Sequence, residues 1–198
     1  MAAAAGIIIG AVLFDSAPDS AKSIGVISTL LLLLVGVVTW AALHSLTRRT
    51  RSSTAMIGTV AFWGHSFVEG ASVAVSFSLN PRIGMIVLAA VALHLVPEFY
   101  ALLIALRRFG LTIRQVVSAE LVSLGLLLTS FTLFHLFMPG ASTTSLSLMT
   151  AIIGGGFIYF AGLLLARLKL SVSYVTGLTS GLTIALAWAV LSSQLLHL

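Results

Sequence analysis

Two short phrases in this chain pair an imidazole with a carboxylate: His65-Ser66-Phe67-Val68-Glu69-Gly70 and His94-Leu95-Val96-Pro97-Glu98-Phe99. In each, the two groups stand four residues apart, so on a helix they share one face, roughly 6 Å apart along the axis. Both phrases interrupt long apolar runs. Ionisable groups at membrane depth are costly and seldom face lipid, so two such pairs on neighbouring helices predict a polar site between them. Imidazole nitrogen with carboxylate oxygen is the donor set of a borderline divalent transition metal. His65, Glu69, His94 and Glu98 are therefore candidate metal ligands, sufficient for a four-coordinate ion, with two carboxylates to neutralise its charge.

Other residues bear on that site. Pro97 precedes Glu98 inside the same apolar run. It cannot donate to the carbonyl of Leu93, and a carbonyl freed in lipid needs another partner, such as an ion or its water. Glu120 follows the small residues Ser118 and Ala119 early in a later apolar segment. It is a candidate to complete the site, to form a second station toward the cytoplasm, or to snorkel to the interface. Asp15 and Asp19 fall in a predicted solvated loop, from which they could attract cations. His44, His135 and His197 lie near segment ends and read as interfacial polar tips. Trp40, Trp63 and Trp188 read as packing residues or interface anchors.

The elements that must position these groups follow from composition. The chain has 198 residues, 59% hydrophobic and 8% charged, with a mean hydropathy of +1.16. A soluble domain of this size would have too little polar surface to offer water. The expectation is an all-α, multi-pass bundle forming a single transmembrane domain over residues 1–198 in an inner or plasma membrane, with lipid as its partner. Seven apolar segments approach the roughly 20 residues needed to span a bilayer: Ala2–Phe14, Ile24–His44, Thr54–Phe77, Ile83–Leu106, Ile113–Phe137, Leu146–Ala166 and Tyr174–Leu196. The first is short, and Asp15–Ser23 reads as the loop after it. Residues 1–21 lack the basic n-region of a secretory signal and read as a first span.

Charge sets the expected orientation. Arg48, Arg49, Arg51, Arg107, Arg108, Arg114, Arg167 and Lys169 occupy alternate connections, against only Lys22 and Arg82 on the other side. The basic side should be cytoplasmic, placing the N-terminus inside and the C-terminus outside. The net charge of +5 thus reflects topology rather than nucleic-acid binding, and the absence of cysteine excludes disulfides and thiolate ligands. Gly6 and Gly10, and Gly177 and Gly181, have the spacing of close helix contacts. Gly154-Gly155-Gly156 reads as a further packing or kink position.

The two His/Glu phrases resemble motifs of the ZIP (Zrt/Irt-like) divalent metal transporters, especially the bacterial type. That family's fourth helix carries His-Asn-x-x-Glu/Asp-Gly, here His65 to Gly70, and its fifth carries His-x-x-Pro-Glu/His, here His94 to Glu98. Glu120 is similar to a glutamate of the sixth helix, and the segment ending Pro18-Asp19 resembles the second helix. The resemblance implies an eight-span bundle from which this chain lacks the first helix, and a homodimer. Ser66 and Leu95 stand where bacterial members often have asparagines that hold a second metal, so a single principal site is expected. Val68 and Phe99 replace a frequent proline and glycine. The resulting expectation is a transporter of zinc, or of iron, manganese, cobalt or cadmium, toward the cytoplasm through a mid-membrane site. The alternative is a degenerate, non-transporting metal-binding protein acting as sensor, partner subunit or scaffold. His-Glu-x-x-His is absent, and no enzymatic activity is expected.

Overall fold

The structure is a computed structural model that describes residues 2–47, 51–137, 142–166 and 171–196; within these, the side chains of Arg51, Ser52, His94, Ser192, Ser193, Leu195 and Leu196 lie outside the description. The described residues contain no strand and form seven helices: α1 (Ala2–Ile24), α2 (Val26–Leu46), α3 (Arg51–Leu79), α4 (Pro81–Arg108), α5 (Ile113–Phe137), α6 (Thr143–Leu165) and α7 (Val172–Leu196). Each apolar segment read from the sequence falls on one of them. Six are long and apolar enough to cross a membrane. The exception is α3, which carries His65, Glu69 and a series of serines and threonines.

The helix ends follow local chemistry. Asn80 caps α4, its side-chain oxygen accepting from Arg82 N at 2.8 Å, and Pro81 occupies the first turn, where no N–H is missed. Ser142 caps α6 by accepting from Thr144 N at 3.1 Å. Between α1 and α2 the chain turns at Gly25, whose φ of 84° favours a residue without Cβ.

The expected loop Asp15–Ser23 is instead helical. A π-turn at Val12–Ser16 carries α1 onward to Ile24. Pro18 lies just beyond that turn, and the wider π geometry suits a residue whose ring crowds the carbonyl four positions back. Asp15 and Asp19 therefore sit on a helix. Asp19 pairs with Lys22 at 2.6 Å on the exposed side.

Packing follows three parallel pairings. Gly6 meets Leu178 and Gly181, and Gly10 meets Ala185, joining α1 to α7. Gly36 meets Ile152 and Gly155, joining α2 to α6 so closely that a methyl at Gly36 would strike the Ile152 carbonyl. Trp63 Nε1 donates to the Ala119 carbonyl at 2.9 Å and Gly70 touches Leu127, joining α3 to α5. The glycines thus act as contact surfaces. α3 also packs on α4 and α6, and it buries Thr54, Ala61, Phe62, Ser66, Ala71 and Ala74. By contrast α2, the most apolar helix, exposes Ile27, Leu30, Leu31, Leu34 and Val38. The least apolar helix is the enclosed one. Some of its hydroxyls are satisfied by its own backbone: Ser72 donates to Val68 O at 2.9 Å and Ser76 to Ser72 O at 2.8 Å.

Candidate functional site

His65 and Glu69 project from consecutive turns of α3, and Glu98 reaches them from α4. His65 Nε2 stands 3.1 Å from Glu69 Oε1 and 3.5 Å from Glu98 Oε2. One donor atom from each residue lies within 4.8 Å of the other two. All three are buried, at 7%, 7% and 9% exposure, so the charges here have little bulk water to screen them. The Phe157 ring of α6 lies against the imidazole, with centroids 5.1 Å apart. Two carboxylates held together out of water need a countercharge, which a cation or protons can supply.

The group borders a cavity of about 290 Å³. Asp15, Ser16, Asp19 and Ser20 line it from α1, Glu69, Ser72 and Ser76 from α3, and Thr143, Ser147 and Thr150 from α6, with His65 at its inner end. Its α4 wall, Val87, Ala90 and Val91, is apolar. These stretches are the C-terminal parts of α1 and α3 and the N-terminal parts of α4 and α6. The cavity therefore belongs to the end of the bundle bearing the α1–α2 and α3–α4 turns. Arg107, Arg108 and Arg114 flank the α4–α5 turn at the other end. At ~30 Å³ per water, the cavity accommodates about ten.

No protein-family model matches the chain. No curated protein matches it either. The site therefore has to be judged on its own chemistry. Three buried donors of the His/Glu type, two of them lining a cavity roomy enough for water, leave coordination positions that water or an incoming ligand can fill.

Of the five predicted ligands, the structure brings together His65, Glu69 and Glu98. His94 lies on α4 one turn before Glu98, and its side chain lies outside the described residues. Glu120 is not in the group. It lies on α5 beside the Trp63–Ala119 contact, half-buried, with its Oε1 enclosed and lacking a hydrogen-bond partner among the described residues. Between the group and Glu120, Ser66 and Ser123 share a fully buried hydrogen bond of 2.6 Å. Leu95 packs with the apolar Val73, Val91 and Leu127.

Asp15 and Asp19, expected in a solvated loop from which they could attract cations, line the cavity from a helix instead. His44 also departs from expectation. It is 3% exposed rather than interfacial, with Nδ1 2.9 Å from Tyr159 OH and Nε2 3.1 Å from Thr54 Oγ1. His135 is stacked on Phe131 near the end of α5. His197 lies outside the described residues.

Proposed function

We propose that the protein transports a divalent transition metal, zinc foremost, across the membrane through the His65–Glu69–Glu98 group. The observation that carries this reading is the convergence of an imidazole and two carboxylates at the inner end of a cavity that hydroxyls and carboxylates line on three of its helices. Metal ions exchange water for such ligands, and the ligands must be deprotonated to bind. The resemblance of the two His/Glu motifs to those of ZIP transporters supports the same assignment, with His94 as a fourth donor. The excess of arginine at the other end puts that end in the cytoplasm, the N-terminus inside and the C-terminus outside. On that orientation seven spans cross the membrane, the cavity faces outward, and the ion moves inward, with Glu120 as a station beyond the Ser66–Ser123 contact.

A second reading is a metal-binding protein that does not transport. The buried Ser66–Ser123 hydrogen bond and the apolar packing of Leu95 favour it, because both occupy the region where a second ion would sit in the family resembled. Purified protein in liposomes discriminates between the two readings. Under the first, zinc or cadmium enters vesicles containing the wild type, and Glu98→Ala abolishes the flux. Equal leak through both proteins rules out transport. Metal-dependent stabilisation without flux supports the second reading.

A further inference from the structure

Glu98 also borders a second, smaller cavity. This pocket, about 30 Å³, lies between α1, α4 and α7, where Asp15, Pro97, Glu98 and Trp188 meet small and aliphatic side chains. The indole Nε1 of Trp188 is buried and has no hydrogen-bond partner among the described residues. Glu98 Oε2 is buried too, and its 3.5 Å approach to His65 Nε2 is an ion-pair contact without hydrogen-bond geometry. An indole N–H can only donate and an ionised carboxylate can only accept, so across a shared pocket each lacks what a water molecule supplies. A water's share of liquid volume is about 30 Å³, and a buried water typically makes about three hydrogen bonds.

We propose that this pocket holds one water, which accepts from Trp188 Nε1–H and donates to the Glu98 carboxylate. Asp15, on the π-turn of α1, offers an acceptor for the water's second proton. Trp188 is then a positioning residue. It touches no ion, but through the water it fixes the direction in which Glu98 faces His65. α7, none of whose described residues belongs to the His65–Glu69–Glu98 group, is thereby tied to it. The effect on metal affinity rests on the metal reading above, whereas the water bridge does not.

The two parts are tested separately. In metal-free protein labelled with ¹⁵N-tryptophan in detergent micelles, the three indole N–H resonances are distinguished by Trp40→Phe, Trp63→Phe and Trp188→Phe. The Trp188 resonance should show a cross-peak to a long-lived water and should move in Glu98→Leu. Absence of that cross-peak overturns the bridge. Zn²⁺ titration then tests positioning. Trp188→Phe keeps the ring and deletes the N–H, and should bind Zn²⁺ about tenfold more weakly, the low end of what outer partners of metal ligands contribute. Stoichiometry and metal-free melting temperature should not change. Trp188→His, which restores a ring N–H, should recover part of the loss even if packing suffers. Unchanged affinity in Trp188→Phe, or no recovery in Trp188→His, overturns the positioning role. If the wild type takes up no Zn²⁺, the metal reading falls, and the water cross-peak alone decides the bridge.

Discussion

Two histidines of this protein are almost equally buried, and their surroundings differ in kind. His44, on α2, has a neutral hydroxyl at each ring nitrogen, Tyr159 from α6 and Thr54 from α3. His65, on α3, has carboxylates of Glu69 and Glu98 against one nitrogen and a cavity beside it. The first arrangement is closed, since three helices are joined by hydrogen bonds that need no further partner to be satisfied. The second concentrates acidic groups beside a cavity. Burial does not separate the two histidines; the acidic neighbours and the adjoining cavity of His65 do.

The largest expected effect breaks the comparison at its functional end. His65→Ala should weaken Zn²⁺ binding by more than about 100-fold, equivalent to about 2.7 kcal/mol. His44→Ala should leave the affinity within about threefold of wild type. Elemental analysis of purified protein, supported by titration calorimetry, reads both. Equal losses in the two variants would mean that the metal is held elsewhere or by the fold as a whole.

Next in size is the response of stability to metal. At Zn²⁺ concentrations 100 times the dissociation constant, the wild type and His44→Ala should each gain about 2.7 kcal/mol, whereas Glu69→Ala should gain none. Chemical denaturation in mild detergent, with and without the ion, measures the difference. A gain retained in Glu69→Ala would remove that carboxylate from the site.

Much of the fold was legible because membrane physics leaves few choices. An apolar stretch in lipid has to be a helix to satisfy its own backbone; six of the seven helices are long and apolar enough to cross a membrane, and α5 matches its expected bounds, Ile113–Phe137. The His65/Glu69 pair was equally legible, because helical spacing alone sets its shared face. Glu98 joining it required only that α3 and α4 be neighbours. The course of α1 was not legible. Asp15, Asp19 and Lys22 look like a solvated loop when counted as charges, but a π-turn ahead of Pro18 keeps the helix intact. His44 was misjudged because its partners, Thr54 and Tyr159, come from other helices, and no local pattern announces them. The indole of Trp188, without a hydrogen-bond partner among the described residues, was invisible for the same reason.

A third test separates the two histidines by the sign of their effect on metal-free stability. Leucine at position 44 would remove the ring nitrogen that stands 2.9 Å from the Tyr159 hydroxyl, at a cost of about 1–3 kcal/mol for a buried hydrogen bond lost. Replacing His65, Glu69 and Glu98 together by leucine removes buried charge that no hydrophobic core needs. Such replacements are neutral or stabilising by about 1–4 kcal/mol in other proteins. The His44→Leu protein should therefore melt below the metal-free wild type, and the triple variant at or above it. A triple variant that melts far below would show that the carboxylates are structural.

The smallest expected effect concerns the contact beneath the site. Ser66 and Ser123 satisfy one another at 2.6 Å, both fully buried, an arrangement closer to that of His44 than to that of His65. Ser123→Ala leaves the Ser66 hydroxyl without this partner and should cost about 1 kcal/mol, whereas the double change to alanine removes both polar groups and should restore most of that loss. Neither variant should alter Zn²⁺ affinity, because neither hydroxyl belongs to the His65–Glu69–Glu98 group. The two readings of function diverge in the vesicle assay. If the ion must pass this contact on its way to Glu120, the double variant changes the rate of flux while leaving binding intact. A double variant with unchanged affinity and an unchanged, measurable flux would place the route elsewhere, and Glu120 with it.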